Sequence, residues 1–476
     1  MAKRLNRKLT ARQANIRKNN MNTKTWKWKP NGKVKSDKSE LEYLPGTLKR
    51  AFVFYFPRPN NFEWTGSELN LLFFDFMDLS TGLPFWLVKN GLPYDYPQLN
   101  KHINCDVVIL GGGITAAINA FILIEADIPC VLIEKRSIGL GSTIATTALL
   151  QYQIDTPLSK LIELRGEEHA RKAYLLCAES IETLANISEK VGYHDFERKS
   201  SLYFASYKKD VDMLKKEYEL HKSLGLDIKY WDENKVKEKM GFSAPAALYS
   251  DHSAQIDAYK LCHLIFQYCI KKGLKVYDRS EMVDIIHSKS GVAMKSIQGH
   301  KVNCKKLIYA AGFEVVDLID KKIVQLQSTW AIVSQQIEHK KEFWHQNCLI
   351  WESKEAYLYI RTTADNRIML GGRDEETNNP KVRQGKLELK TQQLADDFAQ
   401  LFPNLRFRPE FSWAGTFGVT KDGLPYIGHY EPKPNGLFSL GFGGNGITFS
   451  VIAAEIIRDI LLEKANPNEA IFALDR

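Results

Sequence analysis

The 476-residue sequence predicts an α/β chain, α+β overall, from three observations. An apolar run, CDVVIL from Cys105, ends in a glycine turn; a helical stretch follows to about Ala126; a second apolar run, CVLIE, closes at Glu134. Strand, turn, helix and strand in that order make a βαβ unit, the building block of a parallel sheet.

Before this unit the chain differs in character. Residues 1–76 hold 16 Lys and Arg against 6 Asp and Glu, a charge of +10, and the other 400 hold 49 against 50, a charge of −1. The net charge of +9 therefore belongs to the N-terminal segment, and the near-neutral body gives no reason to expect a nucleic-acid partner. Residues 1–36 contain no acidic residue and no apolar stretch of the kind a secretory signal needs. Three readings of 1–76 stay open: a disordered basic arm, an organelle-targeting segment, or an upstream stretch outside a catalytic protein that begins at Met77. Residues 77–104, punctuated by Pro and Gly as in GLPFWLVKNGLPYDYP, predict an extended lead-in strip. The apolar stretch 69–88 is broken by Asp75, Asp78 and Pro84, so no membrane span is expected. Seven cysteines without a CxxC pair or metal-ligand spacing point to a reducing, cytoplasmic setting and to no metal site. Helical periodicity runs over 167–191 and 208–224, with β-rich segments between and after.

The strongest motif is VILGGGITAA, which places Gly111, Gly113 and Ala116 at the GxGxxG/A positions between strand and helix. Gly111 permits the tight turn, Gly113 leaves room for a pyrophosphate, and Ala116 lets the helix lie close to the sheet. The phosphates would meet free N–H groups at the positive end of a helix dipole. Twenty-one residues past Gly113, Glu134 is placed to accept hydrogen bonds from ribose hydroxyls, with Lys135 beside it. The pattern predicts a Rossmann-type dinucleotide site, but NAD and FAD share it.

Six further segments resemble the D-amino-acid-oxidase-like family of FAD oxidoreductases, which includes glycine oxidase, sarcosine oxidases and gamma-glutamylputrescine oxidases. KRSIGLGSTIATTALLQY carries Ser142 and Thr143, which would contact the pyrophosphate and also suit a helix cap; KKLIYAAGFE carries Gly312. WAGTFGVTKDGLPYIG is similar to the family's long signature, and LGFGGNGITFSVIAAEIIRDIL to its closing glycine loop and helix. AYLYIRTTADNRIMLGG resembles a substrate-domain hairpin turning at Asn366, and SAQIDAYKL a segment leading back to a helix.

The resemblance spans about 105–476. It implies a Rossmann-type FAD-binding domain (105–195, 256–322, 416–476) and a mostly antiparallel β-sheet substrate-binding domain (196–255, 323–415). It implies that Gly415 and Asp422 lie near the isoalloxazine, and that Gly443, Gly444, Asn445, Gly446 and Ile447 bring a helix N-terminus to its edge. Gly415 stands where some relatives carry a flavin-linking cysteine, so the expected FAD is non-covalent.

The implied activity is oxidation of the C–N bond of a small amine or amino acid by hydride transfer to flavin N5. Oxygen or an electron carrier would be the acceptor. An alternative is an RNA-associated flavoprotein using the basic arm. No acid–base constellation is singled out, because such chemistry needs the substrate nitrogen unprotonated and well placed. A substrate carboxylate would call for a bidentate cation: Arg361 on the hairpin first, Arg373 second. Tyr357, Tyr359, Trp330 and Trp351 would shape an apolar pocket. Asp251 and His252, as neighbours in a strand, point apart and are not expected to pair.

Overall fold

The computed structural model describes residues 79–338 and 342–476. The readings of the basic arm fall on residues outside the described ones.

Two sheets organise the chain. The first has eight strands: β2 (Ile103–Leu110), β3 (Cys130–Ile133), β8 (Lys275–Tyr277), β9 (Met282–Ser288), β10 (Gly291–Ser296), β11 (Lys301–Tyr309), β17 (Tyr426–His429) and β18 (Gly436–Leu440). Its order is β17-β18-β11-β2-β3-β8, and the five strands from β18 to β8 are parallel. Helices Ile114–Glu125, Ala258–Lys271 and Gly446–Leu461 cover one face, packing with Val107, Ile109 and Leu132. Val108, Val131 and Ile133 point to the other face, which β9 and β10 help to cover through Met282, Val292 and Met294. Both faces of β2 and β3 are therefore dry, which is why they read as unbroken apolar runs.

The second sheet has ten strands: β1 (Ser80–Gly82), β4 (Leu149–Gln151), β5 (Glu197–Phe204), β6 (Ile228–Asp232), β7 (Ala246–Gln255), β12 (Gln325–Ser334), β13 (Leu349–Glu352), β14 (Tyr359–Thr362), β15 (Ile368–Glu375) and β16 (Pro409–Val419). The order is β1-β16-β12-β15-β14-β13-β5-β7-β4, with β6 also on β7; all pairings are antiparallel except β13 with β5. Helix Leu387–Leu401 packs Leu394 and Phe398 on one face of this sheet, against Trp330, Ile332 and Leu370. The expected hairpin is β14–β15, turning through Asn366 at φ 58°.

The periodic segments become helices Glu167–Lys190 and Val211–Ser223. The lead-in strip differs from the expectation: it holds β1 and a helix, Phe85–Asn90. Pro84, with extended backbone, starts that helix and Gly91 at φ 63° ends it, so the punctuation read as irregular chain marks a helix boundary on each side. Two pieces also cross the expected segment boundaries. β4, from 105–195, joins the ten-stranded sheet, and β16 runs unbroken through 415 and 416 because it pairs with β12 along its length.

All seven cysteines are free thiols, six of them buried. Among the described residues no helix is long and apolar enough to cross a membrane. Also among them, no cluster of three or more His, Cys, Asp or Glu is arranged to hold a metal.

Candidate functional site

A cavity of roughly 390 Å³ is walled on one side by the ends of β2, β3 and β11, and on the other by β12, β15 and β16. A glycine turn forms part of the first wall. Gly111, at φ 122°, donates its N–H to the Ile133 carbonyl at 2.9 Å, and a Cβ there would strike the Ala310 carbonyl oxygen. A Cβ on Gly113 would lie 2.9 Å from Thr143 Oγ1, and one on Gly112 would lie 2.6 Å from Ile138. Gly113 is the N-cap of Ile114–Glu125 and makes no side-chain cap, so that helix opens on the cavity. Ala116 is fully buried in the helix-side core rather than in the cavity lining, consistent with close packing on the sheet.

Glu134 follows β3 and lines the cavity, partly buried, its Oε1 accepting the Arg136 N–H at 2.7 Å. Burial pushes its carboxyl up to about 7 against that hydrogen bond. Lys135, also lining, reaches Glu314 at 2.7 Å. Thr143 accepts the Ile114 N–H at 2.9 Å, so the cap role is realised across the chain rather than in its own segment. Ser142 Oγ lines the same region, buried and without a hydrogen-bond partner, as does Gln151 Nε2.

Gly312 (φ 61°), Gly415, Gly443 (φ 54°), Gly444, Gly446 and Ile447 also line the cavity. Gly446 begins the helix Gly446–Leu461. Asn445 is not a lining residue; its Nδ2 donates to the carbonyls of Gln151 and Gln153 at 3.2 and 2.9 Å, tying the glycine loop to the chain after β4. Asp422 is also placed away from the cavity. Its carboxylate accepts two hydrogen bonds from Arg476, both at 3.0 Å, and one from the Leu424 N–H at 3.1 Å, closing a turn instead of approaching a ligand.

The two arginines offered for a substrate carboxylate stand elsewhere. Arg361 is 3% exposed, and its guanidinium donates to the carbonyls of Thr147 (2.8 Å), Ala148 (3.0 Å), Ile256 (2.8 Å) and Thr362 (3.1 Å). Burial pulls it down to about 10. It is consumed in joining three chain segments. Arg373 points to the helix Leu387–Leu401, where its Nε meets Asp397 at 2.7 Å. Trp330 and Trp351 are core residues. Asp251 bonds to Ser200 and Lys229 while His252 approaches the Ala178 carbonyl, so they point apart as expected.

Tyr357 and Tyr359 do line the cavity, joined by Thr329 and Asp374, which sequence reasoning did not single out. Tyr359 Oη lies 3.0 Å from Thr329 Oγ1. Tyr357 donates to Asp155 Oδ1 at 2.9 Å, and Asp155 Oδ2 accepts the Gly444 N–H at 2.8 Å, linking hairpin and glycine loop. The signal for Asp374 lay in IMLGGRDE: two glycines inside a strand pattern mark a bulge or a close approach. The cavity thus offers glycines with no room for a Cβ, an open helix terminus, a buried hydroxyl without a partner and an acid at the end of the second strand. This donor set fits a dinucleotide. No cysteine is among the residues lining it.

Residues 106–460 match the model of the family described as DAO, FAD dependent oxidoreductase. Among curated proteins, the Bacillus subtilis protein YhfW, whose name carries a Rieske 2Fe-2S designation, is 25% identical over 400 residues, 82% of this chain and 75% of its own length. Gamma-glutamylputrescine oxidoreductase of Escherichia coli is 23% identical over 397 residues, 78% of this chain and 86% of that protein. Among solved structures, glycine oxidase from Geobacillus kaustophilus matches with a TM-score of 0.66 and 20% identity over 79% of this chain and 99% of that one, a likeness of fold.

Proposed function

The chain belongs to this family of FAD-dependent oxidoreductases, and from that premise we propose that it oxidises the C–N bond of a small amine or amino acid in the cavity between its two sheets. That it is an FAD-dependent enzyme acting on amines or amino acids follows from the family and its relatives. The observation that carries the finer reading is the continuity of one cavity from Gly111–Gly113 and Glu134 to Tyr357 and Tyr359.

In this reading the eight-stranded sheet is the FAD-binding part and the ten-stranded sheet the substrate-binding part. Gly111 and Gly113 leave room for the pyrophosphate, and the first turn of Ile114–Glu125 holds it by N–H donation, with Ser142 Oγ as a further donor. Glu134 accepts the ribose hydroxyls, which favour its ionised form. Gly415, Gly443, Gly444, Gly446 and Ile447 line the flavin's place, non-covalently, since no lining residue is a cysteine. Bound FAD supplies the two-electron oxidant that turns a C–N single bond into an imine. The protein's residues orient the substrate and close the space against water: Tyr357, held by Asp155, and Tyr359, held by Thr329, form a rigid wall that fixes the reacting carbon. The N-terminus of Gly446–Leu461 presents its dipole where negative charge develops. Seven free thiols suit a cytoplasmic setting.

The test is a visible spectrum of the purified chain, followed by anaerobic addition of D- and L-amino acids, N-methyl amino acids and amines. Bleaching of a flavin spectrum by one class supports the reading, and its rate of return with oxygen or with an artificial carrier assigns the acceptor. A chain that holds FAD but is bleached by none of these compounds refutes it.

A further inference from the structure

The wall of the cavity opposite the glycine fingerprint has a charge character of its own. Its lining residues Thr329, Tyr357, Tyr359, Asp374, Thr416 and Phe417 include one carboxylate and no cation. Arginines and lysines nearby are turned away. Lys390 donates to the Arg373 carbonyl at 2.8 Å and pairs with Glu375 at 2.7 Å on the helix side of β15. Lys386 is engaged with Glu375 too. Arg383 is fully buried behind the wall, donating to Thr416 Oγ1 at 2.6 Å and to Thr81 Oγ1 at 3.1 Å. Asp155, the other acid in the region, is already held by Tyr357 and the Gly444 N–H.

Asp374 is put there by a local break in the sheet. β12 and β15 pair Ser328 with Glu375 and Trp330 with Gly372, so the single residue Thr329 faces two, Arg373 and Asp374. This is a β-bulge, and its backbone is unusual: Gly372 has φ 142° and Arg373, which is not glycine, has φ 59°. A bulge re-aims the side chain that follows it. Arg373 and Glu375 go to the helix side and Asp374 goes to the cavity, beside Thr329, where its Oδ1 is buried with no hydrogen-bond partner.

We propose that Asp374 is the specificity residue of this enzyme: its unpartnered carboxylate oxygen receives a second, non-reacting ammonium of the substrate, so the cavity selects diamine-like amines over amino carboxylates. The cationic nitrogen in contact with Asp374 cannot be the one that is oxidised, because a carboxylate favours the protonated amine and oxidation needs the neutral one. An amino carboxylate would bring its negative charge against Asp374 with no arginine of this wall to receive it. Burial, with Asp155 adding to it, pushes the Asp374 carboxyl up to about 6 against the Thr329 hydroxyl and the more distant Lys390 charge, and an ammonium in contact would return it to the ionised state. The inference rests on the reading of the cavity as a C–N oxidation site and names the substrate class of that site.

The experiment compares diaminobutane, butylamine and gamma-aminobutyrate as anaerobic reductants of the FAD-loaded full chain, wild type and Asp374→Asn, with calorimetric binding of diaminobutane as a second readout. The expected result is a preference of wild type for diaminobutane. In Asp374→Asn its kcat/KM and affinity fall ~10- to 100-fold, the loss of one charge-assisted hydrogen bond, and those of butylamine fall far less. The effect should sit in KM, and an unaltered flavin spectrum shows that the variant is folded and loaded. Equal reduction by all three compounds, a preference for gamma-aminobutyrate, or an equal loss for butylamine in the variant overturns the assignment and leaves C–N oxidation standing. Failure of every amine and amino acid to bleach bound FAD overturns both.

Discussion

The wall carried by the parallel sheet meets the cavity with the main chain of Gly111, Gly112 and Gly113, flanked by Glu134, Lys135, Ser142 and Thr143. The wall carried by the antiparallel sheet meets it with Thr329, Tyr357, Tyr359 and Asp374, so its polar surface is side chain. A main-chain surface is indifferent to most substitutions except those that add atoms, and it suits a cofactor common to many enzymes. A side-chain surface is set residue by residue, and it suits the partner that varies. The same cavity therefore has one side that is hard to change and one that is easily changed.

The largest effect should come from adding a single carbon to the first wall. Gly111→Ala places a Cβ against the Ala310 carbonyl at a φ that L-residues avoid, and should abolish stoichiometric FAD binding while costing at least ~2 kcal/mol of stability. The ratio of flavin to protein absorbance checks it; full flavin occupancy would break the comparison. Next is Arg361→Met, which removes the side-chain donor to the carbonyls of Thr147, Ala148 and Ile256, of which Ala148 keeps only the Ile256 N–H at 3.3 Å. It should cost on the order of 3 kcal/mol in denaturant unfolding, yet leave the ranking of substrates unchanged, since Arg361 belongs to the frame and not to the wall.

Asp374→Asn sharpens the contrast from the other side. Because the folded carboxyl lies near 6 and its unfolded value at 3.8, folding is favoured by protonation: that stability is present below 3.8 and is lost as pH rises through 6. The variant without bound amine should therefore gain up to about 3 kcal/mol over wild type in going from pH 4 to pH 8, less whatever solvent reaches the group. A wild-type protein whose stability relative to the variant does not fall over that window removes the strained carboxylate. The smallest effect is Ser142→Ala, which removes a buried hydroxyl that has no protein partner. Stability of the FAD-free chain should be unchanged or slightly raised, and FAD affinity should fall ~3- to 10-fold by equilibrium titration.

The two walls also differ in how far the sequence discloses them. The glycine turn, Ala116 and Glu134 could be placed from spacing alone, because the geometry they serve tolerates few residue types and lies within one βαβ unit. The hairpin and its Asn366 turn were legible for the same local reason. Arg361 and Arg373 were offered as ligands because they sit on that hairpin, but side-chain direction depends on neighbours far along the chain. Thr147, Ala148 and Ile256 claim the first, and Asp397 the second. Asp374 was hidden for a related reason: a bulge changes which face a residue serves, and its effect depends on the register with β12. Asp422 was misplaced because a motif fixes neighbourhood more firmly than contact.

The order of strands in the parallel sheet has a consequence in time. β2, made early, lies between β3 and β11, and β11 in turn needs β18 at 436–440 for its other neighbour. At ribosomal speeds the roughly 330 residues from β2 to the end of β18 take on the order of tens of seconds to appear. Throughout that interval the apolar edge of a half-built sheet is exposed, and the glycine loop that closes the cavity does not yet exist. A polypeptide halted before residue 436 lacks both the outer neighbour of β11 and the glycine loop, so cofactor loading is a late event in the life of the chain.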